Sequence, residues 1–118
     1  MKKILVVDDE ESIRLLYQEE LEEQGYTVIL AGNADEALER FSAAQPDLVI
    51  LDIKMPGRSG IEVLQIIREQ SRNVPVILST AYGEYKQDLQ TWASDAYIVK
   101  SANVDNLITK VREILSRE

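Results

Sequence analysis

Residues 47–60 read DLVILDIKMPGRSG. Four aliphatic residues in succession, 48–51, leave no polar side to their alternation, so they suit a strand covered on both faces. Asp52 closes the run, and Met55-Pro56-Gly57 beyond it reads as a turn. The same signature recurs on either side of this stretch. Residues 4–7, 28–30, 76–78 and 97–99 are short, mostly aliphatic, and bounded by polar or turn residues.

Longer stretches of helical period lie between these runs. Ile13, Leu16, Tyr17 and Leu21 recur at that spacing until Gly25 stops the helix. Asn33 with Glu36 resembles a capping box ahead of Ala37, Leu38 and Phe41. Gly60 leads into Ile61, Leu64 and Ile67, and Tyr85, Leu89 and Trp92 share one face of a fourth helix. Val104, Leu107, Ile108, Val111 and Leu115 form the apolar stripe of a fifth. Strand and helix thus alternate five times. That order predicts an α/β fold: a doubly wound sheet of five parallel strands, with right-handed crossovers and five helices divided between its faces. Residues 1–118 read as one domain, since no linker, repeat or low-complexity stretch interrupts them.

Composition narrows the chemistry by exclusion. Thirteen basic and 21 acidic residues give a net charge of −8, which is unsuited to binding nucleic acid or anionic membrane by bulk charge. The chain has no cysteine and no histidine. Disulfides, thiolate chemistry, imidazole bases and His-ligated metals are therefore excluded. Residues 4–7 are too short for a signal peptide, and nothing approaches the roughly 20 apolar residues of a membrane span. The address this predicts is cytoplasmic.

Sheets of this class bind ligands at the carboxyl ends of their strands. Asp8-Asp9 follow the first run, Asp52 the third, Ser79-Thr80 the fourth and Lys100 the fifth, whereas the second ends blandly in Ala31-Gly32. Each has an ordinary explanation taken singly. Asp9 or Ser12 could cap the first helix, Asp52 could open a turn, Thr80 could be a loop hydroxyl and Lys100 a solvated charge. Topology nevertheless brings all of them to one rim. Three converging carboxylates repel one another, and a hard divalent cation such as Mg²⁺ with oxygen ligands relieves that repulsion. With an ammonium and a hydroxyl nearby, the set suits phosphoryl transfer, for which an Asp carboxylate is an established nucleophile.

The segments ILVVDDE, PDLVILDIKMPGRSGIEVL, VILSTAYGE and AYIVK resemble the receiver domain of two-component response regulators. Lys54 and the run Thr80-Ala81-Tyr82-Gly83-Glu84 are most similar to single-domain receivers of sporulation-type phosphorelays. The resemblance implies a flavodoxin-like sheet of order 2-1-3-4-5. It implies Asp52 as phosphoacceptor, Asp9 and Asp52 as side-chain ligands of Mg²⁺, the Lys54 carbonyl as a further ligand, and Asp8 acting through metal-bound water. Thr80 would be the switch hydroxyl, Lys100 the partner of the phosphoryl group and Tyr97 the switch aromatic. The phosphodonor would be a histidine kinase or phosphotransfer protein. Output would pass by protein contact through the face of the fourth helix, fifth strand and fifth helix.

Two features depart from the family pattern. Ser101 stands after Lys100 where the family carries proline, and the segment 92–96 lacks the usual glycine. Rival functions fit less well. A dehalogenase-like phosphatase needs an acid two residues after its nucleophile, where this chain has Lys54. Nucleic-acid cleavage conflicts with the net charge, and a purely structural relative has no use for the whole set. The sequence thus predicts a phosphorylation switch rather than an enzyme. The acidic run Glu19, Glu20, Glu22 and Glu23 reads as a solvated helix face. Trp92 divides evenly between core packing and a partner face.

Overall fold

The computed structural model describes residues 1–55, 57–80, 96–99 and 104–116, with the backbone alone at 80, 96, 97 and 99. Five strands, β1 (Lys3–Val7), β2 (Thr27–Ala31), β3 (Leu48–Asp52), β4 (Val76–Thr80) and β5 (Ala96–Val99), form one sheet of order β2-β1-β3-β4-β5. All four pairings are parallel. The helices α1 (Glu11–Glu23), α2 (Ala34–Ala44), α3 (Gly60–Gln70) and a last helix, Asp105–Leu115, complete the described architecture. The doubly wound parallel sheet and its strand order are those predicted. The fourth helix expected around Tyr85, Leu89 and Trp92 lies outside the described residues.

Alternation along each strand divides the core in two. Leu5 and Val7 join Val49, Leu51, Val76 and Leu78 under α2 and α3, packed with Phe41, Leu64 and Ile67. Ile4 and Val6 join Leu48, Ile50, Ile77 and Ile98 on the opposite face, closed by Tyr17 and Leu21 of α1 and by Leu107 and Val111 of the last helix. Both faces of the central strands are therefore dry, as the unbroken aliphatic runs require.

Helix ends are fixed by local bonds. Gly25 adopts φ +95°, a conformation that favours glycine, and its amide donates to the Glu22 carbonyl at 3.0 Å. The Asn33 side chain accepts from the Glu36 amide at 2.8 Å, as predicted. The return bond is shifted by one residue, however, because Glu36 Oε1 accepts from Gly32 N at 2.8 Å rather than from Asn33. Neither Asp9 nor Ser12 caps α1. Its N-cap is Glu10, which makes no side-chain capping bond, while the Glu10 amide is taken by Asp8 Oδ1 at 2.9 Å. Of the acidic run on α1, Glu19, Glu22 and Glu23 are exposed and Glu20 is half-buried.

The amino edge of the sheet is fastened across a long stretch of chain. Lys3 N donates to Asp47 Oδ2 at 2.7 Å, Lys3 Nζ donates to the Ala44 carbonyl at 2.7 Å, and Asp47 N donates to the Lys3 carbonyl at 2.8 Å.

The two side-chain caps differ in quality. Ser59 Oγ accepts from Glu62 N at 3.3 Å, a longer bond than the one from Asn33. Asn33→Ala is expected to lower stability by about 1 kcal/mol, and Ser59→Ala by less. Urea denaturation of the two variants beside wild type checks the ranking.

Candidate functional site

The side-chain alternation that builds the core also builds the site. On the α1 side of the sheet the apolar rows Ile4-Val6 and Leu48-Ile50 are each extended by an aspartate, Asp8 and Asp52. Register pairs Val7 with Leu51, which sets Asp8 and Asp52 level on neighbouring strands. Both are buried, at 1% and 2% exposure, among residues that are otherwise almost entirely apolar. Carboxylates so placed demand compensation, because a buried charge is costly unless it is paired or hydrogen-bonded.

Asp52 is the last residue of β3 rather than the first residue beyond it. It pairs with Ser79 in the ladder to β4, and Ile53 N still donates to the Ser79 carbonyl at 3.2 Å. Likewise β4 runs through Ser79 to Thr80, whose Cα partner is Val99. The strands continue past their apolar runs because the backbone ladder is indifferent to side-chain polarity.

Three carboxylates converge after β1. Single oxygens of Asp8, Asp9 and Glu10 lie within 4.8 Å of one another, with Asp8 buried and the other two exposed. Glu10 is the addition here. The sequence reading passed over it, although its place directly after Asp8-Asp9 was visible. The loop bearing these acids is tied down by Arg14, whose Nη1 donates to the Asp8 carbonyl at 2.6 Å. The plain Ala31-Gly32 end of β2 has its own reason. A Cβ on Gly32 would stand 3.1 Å from Arg14 Nη1, so glycine leaves room for the guanidinium.

Gly60 is the second residue whose spatial role the sequence concealed. Its amide donates to the Ile53 carbonyl at 2.8 Å, seating α3 directly on the backbone behind Asp52. A Cβ at Gly60 would lie 1.9 Å from the Asp52 carbonyl oxygen and 2.8 Å from its carbon. Only glycine permits that approach. Lys54 is exposed, two residues beyond Asp52. Tyr97 pairs with Leu78 on the edge strand. Lys100, Ser101 and the aromatic group Tyr82, Tyr85 and Trp92 lie outside the described residues.

The donor set suits a hard cation. Carboxylate oxygens are what Mg²⁺ takes. The group that offers them together is Asp8, Asp9 and Glu10, one buried and two exposed. Asp52 stands level with Asp8 on the next strand without belonging to that group. Among the described residues, no helix is long and apolar enough to cross a membrane.

Comparison with known proteins agrees with this geometry. Residues 4–112 match the family described as response regulator receiver domain. The response regulator protein TrrA of Thermotoga maritima, solved in complex with Mg(2+)-BeF, superposes with a TM-score of 0.91 at 53% identity, covering 96% of this chain and 98% of that one. TrrA in complex with the histidine kinase ThkA gives 0.89 at 52% identity, over 98% and 99% of the two chains. The sporulation initiation phosphotransferase F of Bacillus subtilis is 36% identical over 97% of this chain and 94% of its own length. The alkaline phosphatase synthesis transcriptional regulatory protein PhoP of Bacillus subtilis is 40% identical over 98% of this chain. The chain spans about half the length of that regulator, 49%.

Two glycines near Asp52 separate steric from conformational demands. Gly57 has φ +84° with open space around it, whereas Gly60 meets the Asp52 backbone. Gly57→Ala is expected to cost about 1 kcal/mol for its left-handed backbone. Gly60→Ala should cost about 3 kcal/mol, since main chain must shift. Thermal or denaturant unfolding measures both, and equal losses would refute the close approach.

Proposed function

The chain belongs to the response regulator receiver domain family, and from that premise we propose that Asp52 is its phosphoacceptor. The domain is a phosphorylation-dependent switch of two-component signalling. The observation that carries the assignment to Asp52 is its position. It is a carboxylate of 2% exposure ending the central strand, level with Asp8 on the neighbouring strand.

In this reading Asp9 and Asp52 bind Mg²⁺ through their side chains, Lys54 contributes its carbonyl, and Asp8 acts through a metal-bound water. Held there, Mg²⁺ would supply positive charge to offset that of the phosphoryl oxygens. Asp52 supplies the attacking oxygen. Gly60 and the Ile53 carbonyl hold its backbone, and Arg14 holds the loop of the acids. The TrrA complex with Mg(2+)-BeF supports the magnesium assignment.

Thr80 is the switch hydroxyl, Lys100 the cation that meets the phosphoryl group, and Tyr97 the aromatic that transmits the change. Thr80 ends the strand next to Asp52, and Tyr97 lies on the strand next to Thr80, which supports a route outward across β4 and β5. The phosphodonor is a histidine kinase or phosphotransfer protein, in keeping with the ThkA–TrrA complex. Output passes by protein contact through the fourth helix, β5 and the last helix, without direct nucleic-acid or membrane binding by residues 1–118. These residues act as one cytoplasmic domain that assists its own phosphorylation and dephosphorylation but turns over no other substrate.

With Mg²⁺ and acetyl phosphate, intact mass should show one phosphoryl adduct on wild type and none on Asp52→Asn. Turnover of acetyl phosphate without an adduct would favour an enzyme, and no reaction would favour a structural relative. Asp8→Ala should weaken Mg²⁺ binding roughly tenfold, as expected for a partner acting through water, and Asp9→Ala should weaken it further. The reverse order in a fluorescence titration would exchange their roles. NMR shifts at residues 97–103 on phosphorylation should vanish in Thr80→Ala. Their persistence would exclude that hydroxyl as the coupling element.

A further inference from the structure

We propose that Ser79 is a positioning residue of the phosphorylation site, whose hydroxyl turns to donate to the Asp52 carboxylate as the phosphoryl group departs and so eases its release. The proposal rests on Asp52 as phosphoacceptor. Ser79 is 1% exposed, and its Oγ has no hydrogen-bond partner among the described residues. A buried hydroxyl without an acceptor is costly, so its presence directly after the aliphatic residues 76–78 of β4 calls for a reason.

Register supplies one. Ser79 is the Cα partner of Asp52 on the adjacent parallel strand. Two residues earlier, Ile50 and Ile77 share the apolar cluster under α1 and the last helix, so Asp52 and Ser79 point to that same face. Strands in a sheet lie about 4.8 Å apart, a gap that a serine hydroxyl and a carboxylate close by choice of rotamer. Asp52 Oδ2 is itself fully buried. A carboxylate has about four lone-pair sites, so a serine donor fits beside whatever else Asp52 contacts.

The consequence is kinetic. In hydrolysis, water oxygen bonds to phosphorus while the bond between phosphorus and the Asp52 oxygen breaks. The electron pair stays on the carboxylate, and both protons of the water leave with inorganic phosphate. Negative charge thus grows on Asp52 in the transition state. A fixed donor beside the buried Asp52 carboxylate stabilises that charge more than it stabilises the acyl phosphate.

Three variants test this by the decay of phosphorylated protein after removal of acetyl phosphate. Ser79→Ala loses only the hydroxyl and should keep its phosphoryl group about fivefold longer, the worth of one hydrogen bond. Its unfolding midpoint should match or exceed that of wild type, because a buried polar atom has gone. Ser79→Thr, which retains the donor, should restore the wild-type lifetime. If its extra methyl prevents folding, Ser79→Cys, a weak donor of similar size, should give an intermediate lifetime. An unchanged or shortened lifetime in Ser79→Ala would overturn the proposal, as would a Thr or Cys variant that behaves like Ala. Asp52→Asn separates the two levels, since labelling that survives it would defeat the phosphoacceptor assignment and not the Ser79 role alone.

Discussion

Two carboxylates at 1% and 2% exposure on the ends of aliphatic strands are the constraint around which this molecule is arranged. Such groups cannot be left uncompensated. The surrounding structure answers with a backbone amide at Asp8 and a rim open to cations and water. The apolar rows beneath hold the two aspartates level. The repulsion is held in place by burial of Ile4, Val6, Leu48 and Ile50, whose packing does not depend on ionisation. A bound cation would relieve that repulsion, because it would bring positive charge to the end of the sheet where the two aspartates stand.

Much of the fold was legible because it follows from one-dimensional rules. Runs without a polar phase announced buried strands, helical spacing announced their covers, and alternation announced parallel order. Topology, which sends every strand's carboxyl end to the same rim, made Asp8, Asp9 and Asp52 readable as candidates. The acids that gather within 4.8 Å among the described residues are instead Asp8, Asp9 and Glu10. Strand limits were less legible. Asp52 and Thr80 belong to their strands by backbone pairing, which side-chain hydropathy does not report. Asp9 and Ser12 were the candidate caps of α1. The side chain that takes an amide at its start is instead Asp8, on Glu10 N, since that bond depends on a rotamer rather than on a residue type.

The residues missed share a property. Gly60 looked like a helix start, but its role is to let α3 touch the carbonyl of Asp52, eight residues away along the chain and adjacent in space. Gly32 looked featureless, and its bareness accommodates a guanidinium from α1. Ser79 stood beside the more conspicuous Thr80, and only strand register reveals that Ser79 is the ladder partner of Asp52. Absence of a side chain, and parity within a strand, acquire meaning only once neighbours are known. The match to TrrA over nearly the whole of both chains shows that the fold is shared.

The fastening of Lys3 to Ala44 and Asp47 bears on how the molecule assembles. These bonds join residues 41 and 44 positions apart, so β1 remains half-finished until more than a third of the chain has followed it. Closing so long a loop carries an entropy penalty that must be met before any native contact rewards it. Ile4 meets Leu48 beside that fastening, and the pairing runs from there towards Val7 and Leu51. If β1 and β3 close from this end, aliphatic contacts accumulate first and the acids meet last. The order of assembly then shields the chain from its own electrostatics, because the repulsive step comes when the strands are already committed.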